Sequence, residues 1–82
     1  MNVAVDISLY PLKDDLIPPI LDVIERLRSH PALYVDTNSM STQIRGEYDD
    51  VMTALNTEIK ATFEQEPKAV FVIKILNNPI AD

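Results

Sequence analysis

Leu33-Tyr34-Val35-Asp36-Thr37-Asn38-Ser39-Met40-Ser41-Thr42-Gln43-Ile44-Arg45-Gly46-Glu47 is the stretch on which the fold turns. Leu33 to Thr37 alternates apolar and polar residues, the period of two that marks a half-buried strand. Asn38-Ser39 carries turn chemistry. Ser41 to Glu47 reads as a further strand pairing back on the one before it. Gly46, the only glycine, stands where this strand hands over to a helix.

Each side of the hairpin repeats one pattern. Upstream, Val3, Val5, Ile7 and Leu9 alternate with Ala4, Asp6, Ser8 and Tyr10 as a first strand, which Pro11 ends. Asp14 and Asp15 bring acceptors and negative charge to the start of a helix, and Pro18-Pro19 suits only a first turn. Ile17, Ile20, Leu21, Ile24 and Leu27 follow at helical spacing, and His30-Pro31 closes the helix. Downstream, Tyr48, Val51, Met52, Leu55, Ile59 and Phe63 form a second apolar stripe. Glu47, Asp49 and Asp50 sit in its positive first turn. Pro67 stops that helix, Ala69 to Leu76 is a nearly continuous apolar strand, and Asn77 to Asp82 is a polar tail.

Two strand–helix–strand units joined by a hairpin predict an α+β, ferredoxin-like two-layer sandwich, βαββαβ, as one domain over residues 1–82. Right-handed crossovers give an antiparallel sheet of order 4-1-3-2, with both helices on one face. By parity the covered face takes Val3, Val5, Ile7, Leu9, Leu33, Val35, Thr42 and Ile44. The open face takes Asp6, Ser8, Tyr10, Tyr34, Asp36, Gln43 and Arg45. The last strand is apolar on both sides, so one side or its edge is expected to meet another subunit.

Composition narrows the function. A chain of 82 residues buries only roughly 60% of its unfolded surface, so its core is thin. It has no cysteine, which leaves oligomerisation as the remaining staple. Thirteen acidic against seven basic side chains give a formal charge of −6, which repels phosphate backbones and disfavours nucleic acid as a partner. Tyr10 and Tyr34 are aromatics on the open face, but no RNP-like stretch accompanies them. Nothing at the N-terminus has the layout of a signal peptide, and no apolar run reaches membrane-spanning length. The expected location is the cytoplasm, without membrane insertion.

The catalytic inventory is short. The single histidine, His30, falls at a helix end before a proline, where a capping or solvent-exposed role is expected. Asp14-Asp15 and Asp49-Asp50 are better read as helix-start charges than as metal ligands. Neither a catalytic residue, a metal site nor a cofactor is expected, and the chain is read as a non-enzyme.

The topology nevertheless gathers one polar corner. Strands one and three are antiparallel neighbours, so Ser8-Leu9-Tyr10 should lie beside Ser41-Thr42. The start of the first helix and the beginning of the last strand arrive at the same place. Thr42 faces the helices, where a core residue is usually apolar. Its hydroxyl either satisfies a backbone group while its methyl packs, or belongs to the mouth of a small pocket. Composition alone favours the packed threonine.

Ser8-Leu9-Tyr10-Pro11, Asp14-Asp15, Ile17-Pro18-Pro19-Ile20, Thr37-Asn38-Ser39-Met40-Ser41-Thr42 and Arg45-Gly46-Glu47-Tyr48-Asp49 together resemble the YkoF-like thiamine-binding family, in its single-domain branch. The most specific part is S-L-Y-P followed at the proper distance by S-T-x-x-x-G. The resemblance implies non-catalytic binding of thiamine or its hydroxymethylpyrimidine moiety, by a carrier or sensor in uptake or salvage. It also implies a homo-oligomer, dimer or tetramer. Carried over by position, the ligand-binding residues are Leu9 through its backbone and Thr42 through its hydroxyl, with Ser41, Tyr10 and Asn38 as neighbours. Some relatives carry an acid where this chain has Asn38. The competing reading is an oligomeric interaction or regulatory module with no functional thiamine pocket.

Overall fold

The computed structural model describes residues 1–79. In chain order the elements are β1 (Asn2–Pro11), α1 (Ile17–Arg28), β2 (Tyr34–Thr37), β3 (Thr42–Glu47), α2 (Tyr48–Gln65) and β4 (Ala69–Asn77). The sheet runs β2-β3-β1-β4 with every neighbouring pair antiparallel. This is the ferredoxin-like order read from the sequence. The last strand takes Asn77 from the expected polar tail, and residues 80–82 of that tail lie outside the described residues.

Parity sorts the faces as expected. Val3, Val5, Ile7, Leu9, Thr42 and Ile44 are buried under the helices, joined from above by Val23, Leu27, Val51, Ala54 and Leu55. Gly46 sits in a tight place: a Cβ there would come 3.2 Å from the Val51 side chain and 3.3 Å from the Leu33 side chain, so these neighbours would have to shift slightly to admit one. The open face leaves Tyr10, Tyr34, Val70, Val72 and Leu76 exposed.

Both helices keep part of the expected stripe in or against the core (Ile20 and Leu27 on α1; Val51, Met52, Leu55 and Ile59 on α2), but the buried row is shifted to one side of it. On α1 the buried residues are Pro19, Val23 and Leu27, while Ile17 and Leu21 are more than half exposed. The apolar arc of this helix is wider than the sheet can cover, so only one side of it is in the core. On α2 the buried row is Val51, Ala54, Leu55, Glu58 and Thr62, and both Tyr48 and Phe63 are exposed. An apolar stripe counted residue by residue misses Glu58 and Thr62, because polar groups enter a core only when partners from elsewhere receive them.

The helix starts also differ. Glu47 caps α2, accepting from the Asp49 and Asp50 amides at 2.8 and 3.3 Å, and both aspartates lie in its first turn. At α1 the capping position is Leu16, with no side-chain cap and no acid in the first turn. Asp14 and Asp15 are therefore loop residues and not a cap. The prolines of the first turn need no N–H acceptor, which removes much of the reason for one.

Candidate functional site

The end of β1 is where the sandwich opens. The ladder between β1 and β3 stops at Ile7↔Thr42, whereas β1 stays paired with β4 to Pro11↔Ala69. Beyond Ile7 the hairpin of β2 and β3 turns away, closed by the Asn38 amide donating to the Ser41 carbonyl at 3.0 Å. The gap is a cavity of about 440 Å3 between sheet and α1. Its floor is Ile7, Leu9 and Phe71, its roof Ile20, Val23, Ile24 and Leu27, and its rim Leu12, Leu16 and Met40. Phe63 meets Phe71 in a tilted contact, ring centres 5.6 Å apart and planes at 60°, and does not line the cavity, so it does not fill the corner.

All five residues singled out from the sequence line this cavity: Leu9, Tyr10, Asn38, Ser41 and Thr42. Their polar groups are not equally available. The Asn38 side-chain oxygen accepts from the Met40 and Ser41 amides at 2.8 and 3.1 Å, so it is occupied in shaping the turn. The Ser41 hydroxyl donates to the Asp6 carboxylate at 2.9 Å. Tyr10 stands at the edge, about half exposed, on the open-face side of β1.

The Leu9 backbone is free to act, and the register shows why. The Leu12 amide donates to the Lys68 carbonyl at 3.0 Å, which places the even-numbered rungs of β1 on the β4 side. Backbone groups alternate sides along a strand, so the odd-numbered rungs point toward β3. Ile7 meets Thr42 there, and Leu9 has no strand opposite it. Its N–H and C=O form an open rung beside the hollow. Pro11, next on that side, has no N–H to lose.

One participant escaped the sequence reading. Thr37 faces Thr42 directly across the β2–β3 ladder, and their hydroxyls lie 3.0 Å apart. Thr37 also lines the cavity. Two hydroxyls hold two protons and use one between them, so the pair keeps a proton and lone pairs for a third group. The signal was present in the hairpin parity, which puts both threonines on the covered face.

A second polar cluster lies at the α1–α2 seam. Arg26 donates to the Glu58 carboxylate at 2.6 Å, to the Glu58 carbonyl at 3.0 Å, to Thr62 Oγ1 at 2.7 Å and to Asp22 at 3.0 Å. His30 Nε2 lies 2.6 Å from the other Glu58 oxygen. Thus His30 does more than sit at a helix end in solvent, as the sequence led us to expect: it pairs with a buried carboxylate. Burial pushes the Glu58 carboxyl up, but the hydrogen bonds from His30 and Arg26 outweigh it and hold the group below its ordinary value. None of these side chains lines the cavity, and their partners are protein groups, so the cluster works as a clamp between helices. Among the described residues no group of three or more His, Cys, Asp or Glu could hold a metal ion. No helix among them is long and apolar enough to cross a membrane.

The cavity is thus an apolar box with a few hydrogen-bonding groups gathered at one wall, a form suited to a flat, mostly uncharged small molecule. A family model described as thiamine-binding protein matches residues 5–79. A hypothetical protein from Methanocaldococcus jannascii has a similar structure, with a TM-score of 0.82, 23% identity, and coverage of 99% of this chain and 84% of that one. A protein from Streptococcus pneumoniae superposes with a TM-score of 0.77 at 17% identity, covering 98% of this chain and 90% of the other. A putative thiamine biosynthesis/salvage protein from Thermotoga maritima gives 0.70 at 19% identity, covering 92% and 82%. At these identities the likeness of structures establishes the fold alone. No curated protein matches the sequence.

Proposed function

The chain belongs to the thiamine-binding protein family, and on that premise we propose that it binds thiamine, or its hydroxymethylpyrimidine half, in the corner cavity without transforming it. The observation that carries this reading is spare hydrogen-bonding capacity on the wall of an apolar hollow. The open Leu9 rung offers a donor and an acceptor, and the Thr37–Thr42 pair offers a hydroxyl. An aminopyrimidine carries an amine donor and ring-nitrogen acceptors on a flat apolar ring, the complement of that wall. At about 440 Å3 the cavity is of small-ligand size.

In this reading Leu9 and Thr42 hold the pyrimidine, while Ser41 and Asn38 fix the hairpin beside it and Tyr10 borders the mouth. Among the described residues no carboxylate lines the cavity. The cationic thiazolium therefore points to the mouth and solvent, and the neutral pyrimidine lies deeper. A ligand complex with the thiazolium buried beneath α1 would refute that orientation. The activity is that of a cytoplasmic carrier or sensor.

The protein acts as a homo-oligomer, dimer or tetramer. Support comes from the exposed apolar residues of the open face and from β4, a nine-residue edge strand carrying one charge, Lys74. The same surface favours the second reading, an interaction module that uses its sheet and not its cavity. Titration calorimetry of the wild-type protein with thiamine and with the free pyrimidine alcohol separates the two. Binding heat with a raised melting temperature is expected. No heat and no thermal shift with either compound, from a protein that is oligomeric by light scattering, would replace the first reading with the second.

A further inference from the structure

We infer that Asp6, on the opposite face of the sheet from the cavity, is a positioning residue for the corner site. Its carboxylate, acting through Ser41, holds the β2–β3 turn where Thr37 and Thr42 meet a ligand. The inference rests on the thiamine reading of this site and adds to it a residue that does not line the cavity.

Asp6 is the only charged residue of β1, an inner strand of the sheet, and it is partly buried. Aspartate is depleted in strands, and a carboxylate drawn away from water needs a partner. Gln43 lies opposite it on β3 and Lys74 opposite it on β4. Its hydrogen bond goes instead to the turn: Ser41 Oγ donates to Asp6 Oδ2 at 2.9 Å. A hydroxyl donating to a carboxylate makes a charge-assisted bond, roughly twice as strong as a neutral one.

The place of this bond gives it its effect. β1 and β3 pair as far as Ile7↔Thr42, and the rung that would follow, Ser8 against Ser41, is not made. Side chains alternate along an extended chain, so neighbours 41 and 42 look to opposite faces. Ser41 reaches Asp6 on the open face, while Thr42 meets Thr37 at 3.0 Å on the covered one. The two bonds stand back to back where the strands part.

The turn is otherwise closed on itself. The Asn38 side chain accepts from the Met40 and Ser41 amides, and the Asn38 amide donates to the Ser41 carbonyl. Those bonds fix the shape of the turn but not its distance from β1, and Ser41–Asp6 supplies that tie. Residues 37–42 form one wall of the cavity, and Asp6 is not among its lining residues. Without the tie the turn swings about the last rung, and fewer molecules have the wall in place. Apparent affinity falls by that fraction.

The test is calorimetry with thiamine and the pyrimidine alcohol, together with amide NMR relaxation of the ligand-free protein. Wild type is compared with Asp6→Ala, Ser41→Ala, the two combined, Asp6→Asn and Asp36→Ala. Asp6→Ala and Ser41→Ala should each weaken binding about threefold to fivefold. The combined variant should bind no worse than either alone, because both changes remove one bond. Asp6→Asn keeps an oxygen that accepts from Ser41, and should return affinity to within about twofold of wild type. Asp36→Ala removes another open-face carboxylate, the one opposite Gln43 on β2, and should leave affinity unchanged. Amide order parameters at residues 38–42 should fall in Asp6→Ala and recover in Asp6→Asn.

Wild-type affinity or unchanged order parameters in Asp6→Ala would overturn the inference and leave the thiamine reading standing. Additive losses in the combined variant would overturn it too. So would failure of Asp6→Asn to recover, or a loss in Asp36→Ala, since either would assign the effect to charge and not to the bond. If Asp6→Ala does not fold, Ser41→Ala and Asp6→Asn decide the matter by the same criteria. If the wild type binds neither compound, the thiamine reading falls and this inference falls with it.

Discussion

The corner at the end of β1 and the seam between α1 and α2 both contain polar groups beneath the surface, and they treat them in opposite ways. At the seam, Arg26 spreads its donors over Asp22, Glu58 and Thr62, and His30 meets the remaining Glu58 oxygen. These bonds close within the protein, and none of these side chains lines the corner cavity. At the corner, the Thr37–Thr42 pair and the Leu9 rung border a hollow and keep capacity that no group among the described residues uses. A buried polar group whose bonds close on the protein is architecture; one left open beside a hollow is a receptor. Both clusters contain threonines on the core side, so the residue type did not distinguish them. The partners did.

The difference can be broken from the seam first. Glu58→Ala leaves the Arg26 guanidinium without its main partner, and the expected cost is about 3 kcal/mol of stability, read as a lower denaturant midpoint. If ligand affinity in the surviving folded fraction is unchanged, the seam is separate from the site. A loss of affinity without loss of stability would reverse the assignment of the two regions.

From the corner, Thr42→Val should do the opposite. It keeps shape and removes the hydroxyl, so affinity should fall by roughly 1 kcal/mol, about fivefold, with a smaller change in melting temperature. Thr37→Val should act in the same direction, because it removes the partner that orients the Thr42 hydroxyl. Equal affinity in both variants would return Thr42 to a packing role.

Acid should act on the seam through Glu58. The Glu58 carboxyl is held below the ordinary glutamate value of about 4.5, so its contribution is complete above the unfolded value and is lost as pH falls through the lowered folded one. Stability of the wild type should therefore decline below about pH 4.5, and Glu58→Gln should flatten that part of the decline. An identical acid profile in Glu58→Gln would remove Glu58 from the explanation. The smallest effect is expected at the turn. Asn38→Ala removes the acceptor for the Met40 and Ser41 amides, which costs on the order of 0.5 kcal/mol because both amides can reach water.

How much of this was legible beforehand varies from residue to residue. Alternation in β1 and in the hairpin was enough to place Val3 to Leu9, Thr42 and Ile44 on the covered face. The adjacency of Leu9 and Thr42 followed from strand order, before any coordinate. The helices were less transparent. On α2, counting only apolar residues drew the stripe toward Tyr48 and Phe63, although Val51, Leu55, Glu58 and Thr62 are spaced four, three and four apart. Glu58 fits that row only because Arg26 and His30, from another helix and its end, take up its two carboxylate oxygens. On α1, the acids Asp14 and Asp15 resemble a cap, but a start built from prolines needs none.

The amino-acid sequence by itself determined the order of elements, the sheet face each strand residue takes, the absence of cysteine chemistry and the negative charge. These follow from local periodicity, turn residues and composition, which act over a few neighbours. Tertiary structure alone decided which polar residues were satisfied and which were left open. It ended the β1–β3 ladder one rung before Leu9, drew Phe63 aside and left the corner hollow. It also brought Arg26 and Glu58 together from 32 positions apart. Whether a buried hydroxyl or carboxylate has a partner depends on groups distant in the chain, and no local pattern encodes that distance.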